Sequence, residues 1–118
     1  MKIYMTGFLT TGSLLDVTSL KDLPITPVTP ESIAEDMMDR GYEEIESEDL
    51  DNLIANITDE NIRVKIYKHV LDRMVEAIRK CDESIITSIR FENCYDCGYG
   101  YDYYIDFELD NKIIKEVL

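Results

Sequence analysis

Ile62, Ile66, Val70, Met74 and Ile78 recur every four residues, and Tyr67, Leu71 and Val75 widen the stripe they make. An apolar face at that period belongs to a helix with one side buried. Thr58 or Asn61 can start it, and the pattern runs out near Cys81. A helix of about 22 residues is roughly 33 Å long, the span of a small domain, so the remaining chain must supply a surface for it to lie on. The pattern then changes to period two. Ile85, Thr87, Ile89 and Phe91 fall on one face of a predicted strand, with Ser88, Arg90 and Glu92 on the other. Further on, Tyr103, Ile105, Phe107 and Leu109 alternate with Tyr104, Asp106, Glu108 and Asp110.

The N-terminal half follows the same two rules. The stretch KIYMTGFLT predicts a strand over residues 2–10, and a turn at Thr11-Gly12 would return it through SLLDVT as a second strand. All three prolines, Pro24, Pro27 and Pro30, fall within residues 21–30, which therefore read as an extended connector. Thr29-Pro30-Glu31 is a helix start: a capping hydroxyl, proline at the first position and an acid in the first turn. That helix should end at Gly41 with Ile33, Ala34, Met37 and Met38 inward. Ser47 can cap a short helix that turns Leu50, Leu53, Ile54 and Ile57 inward. Asp110-Asn111 is a plausible tight turn, after which KIIKEVL forms a last short strand or a fraying helical tail. The whole is an expected α+β domain spanning residues 1–118. An antiparallel sheet of about four strands carries two or three helices on one face.

A chain of 118 residues reads as one domain. At that length it buries roughly two-thirds of its unfolded surface and needs no covalent staple. Its charge is the unusual quantity: 25 acids against 12 bases, net −13. Such a surface repels phosphate, which disfavours direct nucleic-acid binding and anionic membranes and favours a basic protein surface as partner. An odd number of cysteines, three, argues against a secreted disulfide framework. The first residues lack the pattern of a signal peptide, and no apolar run approaches the ~20 residues of a membrane span, so a cytoplasmic location is expected.

The stretch ENCYDCGYGYDYY, residues 92–104, holds the sharpest local chemistry. Cys94-x-x-Cys97-Gly98 has the form of half a zinc knuckle, and a structural zinc needs four ligands. Cys81 lies a strand length away, about 33 Å, and His69 about 18 Å further back along the helix. One chain therefore cannot close the site, and a zinc-bridged homodimer that pools two Cys94/Cys97 pairs is the alternative reading. A redox pair fits less well. Glu92, Asp96 and Asp102 raise thiol pKa, and a strand rather than a helix N-terminus follows. Otherwise the stretch is a hairpin whose Gly98 and Gly100 take positive φ. Tyr95, Tyr99 and Tyr101 are then expected at its tip as interface aromatics.

Acids gather in two further arrays. Residues 43–51 hold Glu43, Glu44, Glu46, Glu48, Asp49 and Asp51. An EF-hand started at Asp49 would need glycine at its sixth place and has Ile54, so calcium is not implied. Helix-start acids account for Glu48, Asp49 and Asp51, leaving Glu43, Glu44 and Glu46. Asp106, Glu108 and Asp110, with Asp102 nearby, repeat along one strand face at roughly 6.6–6.8 Å. Like charges so aligned are mutually destabilising unless they are used.

No catalytic arrangement emerges. His69 is the only histidine and sits at the edge of the helix's apolar face. Gly7-x-x-x-x-Gly12-Ser13 lacks the lysine of a phosphate loop. Half the bases, Arg63, Lys65, Lys68, Arg73, Arg79 and Lys80, lie on the long helix and are expected to pair with neighbouring acids. The expected function is that of a non-enzymatic acidic inhibitor or decoy with no cofactor. It would dock on the basic surface of a nuclease or other nucleic-acid enzyme, as phage counter-defence and immunity proteins do. Its contacts would be Glu43, Glu44, Glu46, Tyr95, Tyr99, Tyr101, Asp102, Asp106, Glu108 and Asp110.

Overall fold

The computed structural model describes residues 1–10, 29–94 and 100–118, with residues 93 and 94 described by their backbone only. The fold is α+β. Its elements are β1 (Lys2–Thr10), α1 (Pro30–Arg40), α2 (Glu48–Leu53), α3 (Glu60–Lys80), β2 (Ile86–Cys94) and β3 (Gly100–Glu108), with short 3-10 turns at Tyr42–Glu44 and Asn111–Ile114. The expected second strand in SLLDVT lies outside the described residues. The described sheet has three antiparallel strands rather than about four, in the order β1-β3-β2.

The local signals act as their chemistry requires. Thr29 caps α1 in a reciprocal box: its hydroxyl accepts from Ser32 N–H at 3.1 Å, and Thr29 N–H donates to Ser32 Oγ at 2.9 Å. Ser47 Oγ accepts from Leu50 N–H at 3.0 Å and starts α2. The start of α3 falls between the two expected positions, because Asp59 supplies the cap by accepting from Asn61 N–H at 2.9 Å. The last strand is not formed. Asp110 instead caps the final 3-10 turn by accepting from Lys112 N–H at 2.8 Å, which tucks Ile113 and Ile114 into the core.

The inner sheet face carries Ile3, Met5 and Leu9 of β1 and Tyr101, Tyr103, Ile105 and Phe107 of β3, all buried. Ile33, Ala34 and Met37 of α1, Leu50 and Ile54 beside them, and Ile66, Val70, Met74, Val75 and Ile78 of α3 close over it. Three expected inward residues stay out. Met38 and Leu53 are exposed, and Thr87 is exposed while Ile86 is buried. The last exchange has a clear cause. The β2–β3 register slips between Ile86 and Ser88, and this bulge puts both Ile86 and Ile89 on the inner face although they are three residues apart.

Gly7 sits opposite Tyr103 in the β1–β3 register, and the tyrosine ring crosses directly over it. A Cβ at Gly7 would lie 2.2 Å from the Tyr103 hydroxyl oxygen and 2.5 Å from Asp36 Oδ2. Gly100 is likewise a glycine of close approach and not of positive φ. It is extended in β3, and a Cβ there would meet Phe8 Cζ at 2.4 Å and the Leu9 carbonyl at 2.6 Å. Overpacking of this kind costs about 1–3 kcal/mol. Gly7→Ala is therefore expected to lower the urea midpoint by that amount of stability while leaving the m-value unchanged, as equilibrium denaturation followed by far-UV circular dichroism will show.

Candidate functional site

Beyond the terminal row of Thr10, Gly100 and Cys94, the strand register defines the outer face of the sheet as four rows. Phe8, Asp102 and Glu92 form one, and Thr6, Tyr104 and Arg90 the next. Tyr4, Asp106 and Ser88 form the third, and Lys2 and Glu108 the last. Because β3 is the central strand, its alternating acids run down the middle of this face. Lys2, Ser88, Arg90, Glu92, Asp106 and Glu108 are exposed, while Tyr4, Thr6, Phe8, Asp102 and Tyr104 are half-buried.

The two acidic arrays meet here. Tyr4 N–H donates to the Glu46 carbonyl at 2.8 Å, and Glu46 N–H donates to the Tyr4 carbonyl at 3.0 Å. A residue pair that exchanges both bonds projects its side chains to the same side of the sheet. The third row is thereby extended to Glu46, Tyr4, Asp106 and Ser88. Ser47 Oγ donates to the Lys2 carbonyl at 2.6 Å, and Lys2 N–H donates to Asp49 Oδ2 at 2.7 Å. Residues 46–49 thus cover the Lys2–Tyr4 end of the outer edge of β1. Glu43 and Glu44 do not join the face. They lie exposed in the 3-10 turn, where Glu43 lines a cleft of about 260 Å³ with Tyr42, Ile45 and Tyr67.

The acids separate into those with an intramolecular role and those without one. Glu108 accepts from the Met1 amine at 3.1 Å and lies opposite Lys2. Asp110 falls outside β3 and serves as a helix cap. Glu92 pairs with Arg90, whose guanidinium sits 4.2 Å over the Tyr104 ring. Asp49 holds Lys2, and Asp51 accepts from the Tyr67 hydroxyl. Glu46, Asp102 and Asp106 have no ion pair or side-chain hydrogen bond among the described residues.

The cations are largely occupied on the helical side. Arg79 holds Glu31 of α1 at 2.9 Å and keeps its carboxyl below the usual range through that hydrogen bond. Lys80 pairs with Glu76 at 2.5 Å and Arg40 with Asp36 at 2.7 Å. Arg63 donates to the carbonyls of Ile54 and Ile57 at 2.9 and 3.0 Å. His69 is half-buried at the helix boundary, with Nε2 2.7 Å from Glu116 Oε2.

Two clefts of about 400 and 390 Å³ open at the Lys2–Glu108 end of the face. The first also takes in Met1, Asp49, Asn52, Leu53 and Asn111, and the second Thr87, Asp106 and Phe107. Tyr101 is 1% exposed and belongs to the core, which corrects its expected place among exposed tip aromatics. Tyr95, Cys97 and Tyr99 lie outside the described residues, as does the Cys94 side chain. No cluster of three or more metal-binding side chains occurs among the described residues, and no described helix is long and apolar enough to cross a membrane. The chain matches no family model, no curated protein and no solved structure.

Three tyrosines donate to carboxylates: Tyr67 to Asp51, Tyr103 to Asp36 and, on the outer face, Tyr104 to Glu92 at 3.3 Å. Burial first, and the Asp51 carboxylate next, push the Tyr67 hydroxyl up to about 12. Burial and Asp36, 2.5 Å away, raise that of Tyr103 further. A tyrosine ionises near 10 once unfolded, so above that pH the folded state binds more protons than the unfolded state and stability falls as pH rises. Urea midpoints are expected to hold steady from about pH 7 to ~10 and decline towards ~12. The decline should be shallower in a Tyr67→Phe variant. An identical slope in that variant would show that Tyr67 is not its source.

Proposed function

We propose that this protein is an acidic docking protein that places its outer sheet face against a basic protein surface, as an inhibitor or decoy. The partner class that fits best is a nuclease or other nucleic-acid enzyme, of the kind met by phage counter-defence and immunity proteins. The observation that carries the reading is the convergence of Glu46 with Asp102 and Asp106 on one open face, where none of the three has an ion pair among the described residues. A row of spaced carboxylates offers a basic groove the same charge pattern as a phosphate backbone. The half-buried rings of Tyr4, Phe8 and Tyr104 lie between those acids and supply apolar area. Charge of this kind raises the association rate and gives specificity, while aromatic burial supplies affinity.

The test is capture of partners from bacterial lysate, with the wild type and a Glu46→Gln/Asp102→Asn/Asp106→Asn variant compared as bait. These three side chains bond no other described residue, so the variant should melt no lower than the wild type. The reading expects a nucleic-acid-binding protein to be retained by the wild type and displaced both by competing duplex DNA and by salt, since exposed charges are screened beyond ~8 Å at physiological strength. The variant should associate with it at least about tenfold more slowly, as measured by stopped flow. A partner held equally well by the triple variant, or one indifferent to DNA, would sink the decoy reading.

A further inference from the structure

We infer that the free edge of β2 is a self-recognition surface, on which a second copy of this chain pairs antiparallel about a twofold axis at Phe91. This rests on backbone geometry and does not depend on the docking role of the acidic face.

The two edges of the sheet are treated differently. The outward N–H and C=O groups of Lys2 and Tyr4 on β1 are bonded by residues 46–49. Along β2 no described residue bonds the edge. Protected edges carry charges, above all lysine, or proline or bulges. β2 has no lysine or proline, its two charges, Arg90 and Glu92, are of opposite sign and can complement a second copy, and its one bulge lies at the start, leaving Ser88–Cys94 regular. The residues β2 turns inward near that edge, Ile89 and Phe91, are only half-buried.

The hydrogen-bond parity is fixed by bonds already described. Tyr4 points its backbone groups at Glu46, away from β3, so Asp106 opposite it points its own towards β2. Glu108 N–H agrees, donating to the Ile85 carbonyl at 2.7 Å. It follows that Ser88, Arg90 and Glu92 bond to β3, while Ile89, Phe91 and Asn93 present their N–H and C=O to the free edge.

Few self-pairings satisfy that parity. A twofold centred on Arg90 or on Glu92 sets like charges directly opposite each other, which is destabilising. A centre at Ile89 sets Arg90 against Ser88 and runs into the bulge. A centre at Phe91 bisects the regular stretch, sets Phe91 against Phe91, and sets Arg90 of each chain against Glu92 of the other. Those two ion pairs occupy non-hydrogen-bonded positions, where opposed side chains are closest. Arg90 and Glu92 already lie together on the exposed face, so they need only exchange partners. The product is a six-stranded sheet whose two acidic outer faces lie on the same side. The Cys94 positions would be six residues out of register, about 20 Å apart, so no metal bridge between them is involved.

Sedimentation velocity at 0.15 M NaCl with EDTA, over about 10 μM to 1 mM, tests this across the affinity range of a small interface. The wild type is expected to move towards twice its 13.7 kDa as concentration rises. Arg90→Glu and Glu92→Arg should each weaken self-association at least about tenfold, because each replaces two attractive pairs by two repulsive ones. Net charge moves in opposite directions in these two variants, so a general charge effect cannot produce both losses. Mixed together, the two variants should associate as well as the wild type, since every cross-chain pair is again opposite in sign. A wild type monomeric throughout the range, either variant associating like the wild type, or a mixture that stays monomeric would each overturn the proposal.

Discussion

The Tyr103 side chain ties the sheet to the helical layer. It rises from the central strand, crosses Gly7 of β1 and donates to Asp36 Oδ2 of α1, the same oxygen that accepts from Arg40 Nε. A buried phenol needs such a partner, because leaving its hydroxyl unbonded costs about 1–3 kcal/mol. The constraint reaches along the whole chain. β3 lies near the C-terminal end of the sequence yet inserts between β1 and β2, so Ile3 must find Phe107 before the inner face exists. Glycine at position 7 is what allows the ring to lie flat enough for α1 to close over it.

A central β3 also decides where charge goes. Its inward residues are all apolar or tyrosine, so its acids can only point to the outer face. The helices bury their apolar stripes on the inner face, and three of the six bases of α3 pair with acids, Arg73 with Glu116, Arg79 with Glu31 and Lys80 with Glu76, while Arg63 holds backbone carbonyls and Lys68 lies over the Tyr42 ring. Positive charge is thereby retained on the helical side. The sheet side keeps a surplus of carboxylates next to aromatic rings, and that asymmetry makes the outer face the functional candidate.

Much of this was legible in the sequence where one period dominates. The four-residue repeat from Ile62 to Ile78 gave α3, and the cap residues Thr29 and Ser47 gave the starts of α1 and α2, because each signal is local. The alternation at 103–109 located the inner and outer faces of β3. Tertiary facts were not legible. The bulge at residues 86–88 moved Ile86 inward and Thr87 out, and nothing in a period-two pattern announces a slipped register. KIIKEVL reads as a strand or a helical tail, and the Asp110 cap makes its start part of a 3-10 turn over Asn111–Ile114 that buries Ile113 and Ile114. Tyr101 reads as a tip residue because Gly100 beside it suggests a turn. Gly100 in fact starts β3, where Phe8 passes too close for any side chain. Glu46 could not be placed beside Asp106 from sequence, since their meeting depends on one isolated bridge to Tyr4.

That bridge separates structural acids from available ones. Within residues 46–49, Asp49 acts through its carboxylate and Ser47 through its hydroxyl, so their side chains are committed to closing the β1 edge. Glu46 acts through its backbone alone, and its carboxylate is left over. The same distinction runs along β3 and beyond. Glu108 and Asp110 are engaged by the Met1 amine and the Lys112 N–H, whereas the Asp102 and Asp106 carboxylates bond no described residue. A carboxylate that supports no part of the fold still adds self-repulsion to a chain of net charge −13. Glu46, Asp102 and Asp106 carry that cost together on one face, and a basic partner seated there would remove it.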